Sequence, residues 1–366
     1  MPSGAAALVA FVLALTGMIF VHEFGHFLAA RLFKIEVEEF GFGLPSVRLF
    51  TLFRWRGTDF TVHALPLGGF VRPKGENDPN VEGGLAAANP WHRLVVLAAG
   101  PLMNLITAVA VFATLIGMQG MPIAGPVRVE DVLPNSPAAQ AGLRAGDLIM
   151  EINGEQISDV EQAISIVRGH LDQPIEILVL RGDETLQLEA LPQSTRSSEE
   201  GALGVGLRSQ TRRATVGEMV SGGALITGLQ AATILYIPVA LIRGVIAPDE
   251  ARVVGFKGIF DMFNAALRED VQSRQEAAGG VARAPSNWTL NLVGLLSVSL
   301  GVMNLLPIPA LDGGRILFTL PEIILRRRIS PAVENAINAV AMMLLILLLL
   351  FVNLMDFVNP VLVPIP

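Results

Sequence analysis

The chain has 366 residues, 52% of them hydrophobic and 16% charged, with a mean hydropathy of +0.55. A soluble domain carries about a quarter charged residues, so the composition indicates a polytopic membrane protein. The net charge of −7 and pI near 5.3, without a basic stripe interleaved with aromatics, argue against nucleic acid as a partner. The absence of Cys excludes disulfides and thiolate ligands, so any metal must be held by His and carboxylate.

Five uncharged runs, at residues 1–21, 94–127, 219–242, 284–311 and 335–355, are candidate spans, since about 20 apolar residues cross the hydrocarbon core. The first ends at His22-Glu-Phe-Gly-His26. It lacks the basic start of a signal peptide, and cleavage after it would strand this motif at a new terminus. On a helix His22 and His26, at i and i+4, share a face and can offer two imidazoles to one metal, with Glu23 beside them to take a proton from water activated there. Water is scarce at that depth, so its delivery must be part of the mechanism.

The segment from Arg31 to Arg93 carries eight Lys or Arg, which places it on the cytoplasmic side by the positive-inside rule. Val37-Glu-Glu-Phe-Gly-Phe-Gly, Val47-Arg-Leu-Phe and the stretch from Phe60 to Phe70 read as short strands between Gly and Pro turns. They predict a small membrane-associated sheet, within 34–90, that presents an edge.

Residues 124–209 are soluble in character, with alternating strands such as Ile175-Glu-Ile-Leu-Val-Leu. Ser136-Pro137 starts a short helix, Gly142 stops it, and Asn153-Gly154 reads as a hairpin turn. This order resembles a PDZ domain, a fold that binds extended peptide ends beside a groove. The Gly201-Ala-Leu-Gly-Val stretch is similar to the PDZ carboxylate-binding loop in a circularly permuted order. Gly201, Leu203, Gly204 and Val205 are therefore candidate contacts for a peptide C-terminus, although a Gly-rich hairpin reads the same way.

Residues 219–242 are long enough to cross but contain Gly222, Gly223, Gly228, Gln230 and Pro238. Both termini lack Lys and Arg, whereas residues 31–93 and Arg326-Arg-Arg are basic, so outside termini and four crossings satisfy the charge rule. The six Lys or Arg between Arg243 and Arg283 oppose this count. On balance, 217–283 is expected to be an amphipathic or re-entrant region at the outer surface.

In the fourth run, Asn304-Leu-Leu-Pro-Ile-Pro-Ala-Leu-Asp312-Gly-Gly interrupts a helix. Unwound backbone in a membrane is tolerated only where protein or a water-filled cavity satisfies it, and a buried carboxylate is costly unless paired or metal-bound. Two His and one carboxylate leave the fourth position of tetrahedral zinc open, as catalytic zinc requires. Both halves fall at the cytoplasmic end of a span that runs inward, so they can meet at one depth.

The motifs His22-Glu-Phe-Gly-His26, Gly100-Pro-Leu-Met-Asn104, the PDZ signature and the Asn304 to Gly313 run together resemble the site-2 protease family of intramembrane zinc metalloproteases. Within it the chain resembles the bacterial regulator-of-sigma-E protease type, here with one PDZ domain where some relatives have two. The resemblance implies one Zn²⁺ held by His22, His26 and Asp312, Glu23 as general base, and Asn304 contacting substrate backbone or the developing oxyanion. Asn104 matches a family position but reads equally as a polar contact between helices. The implied substrates are single-span membrane proteins, such as pre-trimmed anti-sigma factors and remnant signal peptides. The implied location is the bacterial inner membrane, with the PDZ domain outside and the active site near the cytoplasmic side.

The expected architecture is a polytopic α-helical membrane protein of about four transmembrane helices, with a membrane-associated β-hairpin sheet and an inserted α+β PDZ domain. Its segments are 1–33, 34–90, 91–121, 124–209, 217–283, 286–326 and 332–358. His63 and His92 read as a strand residue and an interface anchor, and His170 as a surface residue of the PDZ segment. Two other classes compete: a membrane-anchored PDZ scaffold with an idle metal, and a transporter using Asp312 and the histidines as an ion path. Glu23 weakens the first, since a structural zinc needs no adjacent base, and the lack of inverted repeats weakens the second.

Overall fold

The computed structural model describes residues 4–65, 68–76, 78–195, 201–247, 252–279 and 285–360. The parts of the predicted segments at 1–3, 66–67, 77, 196–200, 248–251 and 280–284 lie outside the described residues. The chain forms two compact units, one built on Met1–Thr114, Val220–Arg268 and Trp288–Val363, the other chiefly on Leu115–Met219 and Glu269–Asn287.

The first unit begins with α1 (Gly4–Leu32), whose C-terminal half turns Phe20, Phe24 and Phe27 toward a four-stranded sheet. Spacings of three and four residues put these rings on one helical face. The sheet comprises β1 (Val37–Phe42), β2 (Arg48–Trp55), β3 (Thr58–His63) and β4 (Gly69–Pro73), in the order β2-β3-β1-β4. It is more than the expected hairpin arrangement: β1 lies parallel to β3 and antiparallel to β4, so the sequence-central hairpin β2–β3 sits to one side. Burial explains the choice, since Val37 and Phe40 of β1 pack beneath α1 while β2 is exposed along its length. Consequently β4 is an edge strand.

Asn89 caps α2 (Pro90–Gln119), its Oδ1 accepting the Trp91 amide at 2.9 Å, with Pro90 at the first helical position. Later helices are α5 (Val216–Ile242), α6 (Phe256–Ala278), α7 (Trp288–Leu305), α8 (Asp312–Leu325) and α9 (Pro331–Val358). Among the described residues five helices, α1, α2, α5, α7 and α9, are long and apolar enough to cross a membrane. Residues 219–242, expected to lie at the surface, are part of one continuous 27-residue helix of this kind.

Pro307 and Pro309 lack amide hydrogens and separate α7 from α8. Between them and α8, Ala310 adopts φ +74°, and its amide donates to Asn338 Oδ1 of α9 at 3.0 Å. The far end of α9 holds a buried acid, Asp356, which accepts Arg252 at 2.8 Å and the amides of Gly255 and Gly258 at 2.8 and 3.0 Å.

The second unit contains β5 (Met121–Val132), α3 (Pro137–Gln140), β6 (Leu148–Ile152), β7 (Glu155–Gln156), α4 (Val160–Gly169), β8 (Ile175–Arg181), β9 (Glu184–Ala190) and β10 (Val205–Arg212). The sheet order is β10-β5-β6-β8-β9, with β7 paired to β6. Ile175, Ile177 and Val179 alternate inward along β8 and are fully buried, as a two-residue period demands. Ser136 caps α3 through the Ala139 amide, and Asn153-Gly154 turns β6 into β7 with both φ positive.

Candidate metal centre

The crossing of α1 and α2 sets the first half of the site. A side chain at Gly100 would overlap the His26 ring, and one at Gly25 would overlap the Ala99 carbonyl, so glycine at both positions lets the helices approach closely enough to seat the imidazole. His26 Nδ1 lies 2.8 Å from the Val96 carbonyl oxygen, which can only accept, so this nitrogen carries the proton and Nε2 is free to ligate. His22, one turn earlier, is buried and also points its Nε2 inward.

The second half arrives from α8. Asp312 Oδ2 lies 3.0 Å from His22 Nε2 and 3.3 Å from His26 Nε2, and the two Nε2 atoms are 3.2 Å apart. Tetrahedral zinc with bonds of about 2.0–2.1 Å separates its ligand atoms by about 3.3 Å. The triangle therefore fits a zinc ion with its fourth position open. Among the described residues this is the one group of three or more side chains able to hold a metal.

Glu23 stands beside the triangle, and its Oε2 accepts the Val71 amide of β4 at 3.0 Å. The edge strand and the candidate base are thus in direct contact. Behind β4, Arg72 pairs with Glu39 of β1 at 2.9 Å, and Glu39 also accepts from Thr61 at 2.8 Å and lies 3.2 Å from His63 Nε2. Burial would raise the Glu39 carboxyl, but the Thr61 and His63 contacts and the Arg72 charge outweigh it and hold it below its ordinary range. This polar knot fastens β4 to β1 and β3.

His22, Glu23, His26 and Asp312 line a cavity of about 280 Å³ whose wall also includes Phe70, Val71 and Asn304. Asn304 donates to the Leu300 carbonyl of its own helix at 3.0 Å. At the rim, Arg315 pairs with Glu76 at 2.5 Å. The cavity therefore combines a candidate metal triangle, a carboxylate and the outer edge of β4.

The remaining histidines lie elsewhere: His63 in the polar knot, His92 stacked on Phe33 with centroids 4.2 Å apart, and His170 bonded to the Ile166 carbonyl. The candidate peptide residues fall in the second unit. Gly201 and Gly204 take positive φ, and Val205 opens β10. Leu203 buries its side chain in the core and accepts the Ala138 amide on its carbonyl, while the Gly204 amide bonds back to Gly201. Nothing local in the sequence marks the Val71 amide or the Asn338 contact. Asn104 is left undecided by the sequence, and the structure places its side chain 3.2 Å from His22.

Comparison with known proteins fits this geometry. Residues 10–348 match peptidase family M50. Two relatives named "Putative zinc metalloprotease" are similar along almost their whole length. One from Clostridium perfringens is 32% identical over 96% of this chain and 98% of its own. The other, from Agrobacterium fabrum, is 31% identical over 95% of each. Among solved structures, the PDZ domain of the SdrC-like protein from Listeria monocytogenes matches 24% of this chain and 90% of its own at 27% identity, with a TM-score of 0.21. The chain belongs to peptidase family M50, the site-2 proteases, and is a zinc-dependent membrane metalloendopeptidase.

Proposed function

We propose that this enzyme hydrolyses peptide bonds within the transmembrane segments of single-span membrane proteins. The observation that carries the reading is the junction of the His22, His26 and Asp312 triangle with Glu23 in a cavity formed by apolar helices and an edge strand. Zinc, when bound by these three residues, supplies a Lewis acid for the scissile carbonyl and lowers the pKa of water toward about 7. Glu23 takes the proton from the attacking water and returns it to the departing amine. Asn304, in the cavity wall, stabilises the developing oxyanion or holds substrate backbone.

A helical peptide bond is shielded by its own hydrogen bonds, so the substrate must unwind before attack. The edge of β4 would take the unwound segment as an added strand. By charge distribution the site lies near the cytoplasmic side of a bacterial inner membrane and the PDZ-like unit outside. There the Gly201 to Val205 loop would receive a new carboxyl terminus, or the unit would act as a size filter. Fitting substrates are pre-trimmed anti-sigma factors and remnant signal peptides.

The test is cleavage of a synthetic single-span helix, lacking an outer domain, by purified wild type and Glu23→Gln with bound metal quantified in both. Wild type should cut inside the span while the variant holds zinc and does not cut. No cutting by either, with zinc present in both, would replace this reading with a membrane-anchored scaffold.

A further inference from the structure

The two histidines of the triangle are held differently on their outer nitrogens. His26 has a carbonyl at Nδ1, the Val96 oxygen at 2.8 Å, which fixes its ring proton there. His22 also aims Nε2 at the metal position, so it can ligate only when its single proton sits on Nδ1. That proton needs an acceptor.

The side chain 3.2 Å from His22 Nδ1 is Asn104, on α2, which is almost wholly buried. In the orientation found here the amide nitrogen faces Nδ1, while the amide oxygen is buried without a hydrogen-bond partner. The two ends of an asparagine amide have nearly the same shape, and a half-turn exchanges them. The turned amide presents the orphaned oxygen to the His22 Nδ1 proton. The orientation found here serves the other tautomer, in which Nδ1 accepts and the proton sits on Nε2.

We propose that Asn104 is a positioning residue of the zinc site: its carbonyl oxygen accepts the His22 Nδ1 proton and holds the ring in the tautomer that ligates. It does for His22 what the Val96 carbonyl does for His26. Outer partners of this kind set ring orientation and ligand basicity, and their loss weakens metal affinity about 10- to 100-fold. The inference rests on His22 being a zinc ligand.

The experiment measures zinc affinity of the full-length protein in detergent by competition with a chromophoric chelator, with a thermal melt of each variant alongside. Asn104→Leu, which removes the acceptor, should weaken zinc about 10- to 100-fold. Asn104→Asp, which can only accept when ionised, should stay within a few-fold of wild type. The proposal is overturned if the Leu variant binds zinc as wild type does, or if the Asp variant is as weak as the Leu variant. Should the Leu variant fail to fold, the Asp variant decides alone. His22→Ala separates the two levels: unchanged zinc affinity removes the ligand assignment itself, whereas lost affinity beside unaffected Asn104 variants removes only the positioning role.

Discussion

The two units solve burial in opposite ways. In the sheet of the second unit the interior is aliphatic, with Ile175, Ile177 and Val179 fully covered, and the buried polar side chains there are partnered, Ser136 as the cap of α3 and Asp147 with Arg181. In the helical unit many apolar side chains face outward: the most hydropathic window of α9 is only 6% buried, and Leu344, Leu347 and Leu350 are more than half exposed. Alongside apolar residues such as Phe11, Phe27, Val96, Phe112 and Val298, these helices bury the polar His22, Asn104, Ser297, Thr319 and Asp356. Where lipid is the solvent, apolar burial contributes little between helices, and close packing and hydrogen bonding decide which faces meet. The candidate catalytic groups are the extreme case of that rule.

Substitutions can break or sharpen this contrast. Glu23→Gln should lower cleavage by about two to four orders of magnitude while leaving zinc content unchanged, measured by product formation and metal analysis. Ile177→Ala, in the aliphatic core, should cost about 2–5 kcal/mol in denaturant unfolding of the second unit, because the vacated volume cannot collapse completely.

Asp147 accepts Arg181 at 2.7 Å through both oxygens and the Arg144 amide at 2.9 Å. Burial pushes its carboxyl up, but these bonds outweigh burial and hold it below the ordinary value of 3.8. The folded value is therefore lower than the unfolded one, so the stabilisation is complete above about pH 4 and is lost as pH falls through the folded value. Asp147→Asn should cost about 3 kcal/mol at neutral pH and flatten that acid dependence in pH-dependent melts. The smallest effect belongs to Leu347→Ala: more than half exposed on an α9 long and apolar enough to cross a membrane, it should shift stability by less than about 0.5 kcal/mol. A large loss there would mean that α9 faces protein instead.

How much was legible follows the range of each signal. The His22 and His26 pair is a local spacing on one helix and could be read directly. Asp312 was legible because Pro307, Pro309 and the glycines mark a break where an acid has no bland use. The inward alternation of β8 and the Asn153-Gly154 turn are likewise local. The parallel partnership of β1 with β3 was not legible, since it depends on which strand α1 covers with Phe24 and Phe27. Nor were the Val71 amide at Glu23 and the Asn338 bond to Ala310, because each joins residues whose meeting is decided by helix packing. Asn104 stood on the page as a polar residue in an apolar helix, but only geometry shows which ring it touches.

The proposed ligands His22 and Asp312 are 290 positions apart. At about 5–20 residues per second, synthesis separates them by about 15 to 60 s. Throughout that interval α1 is already made while the third ligand does not yet exist, so a newly made chain cannot hold its metal with the full set. On the proposed ligand set, a chain that stalls before Asp312 should be inert.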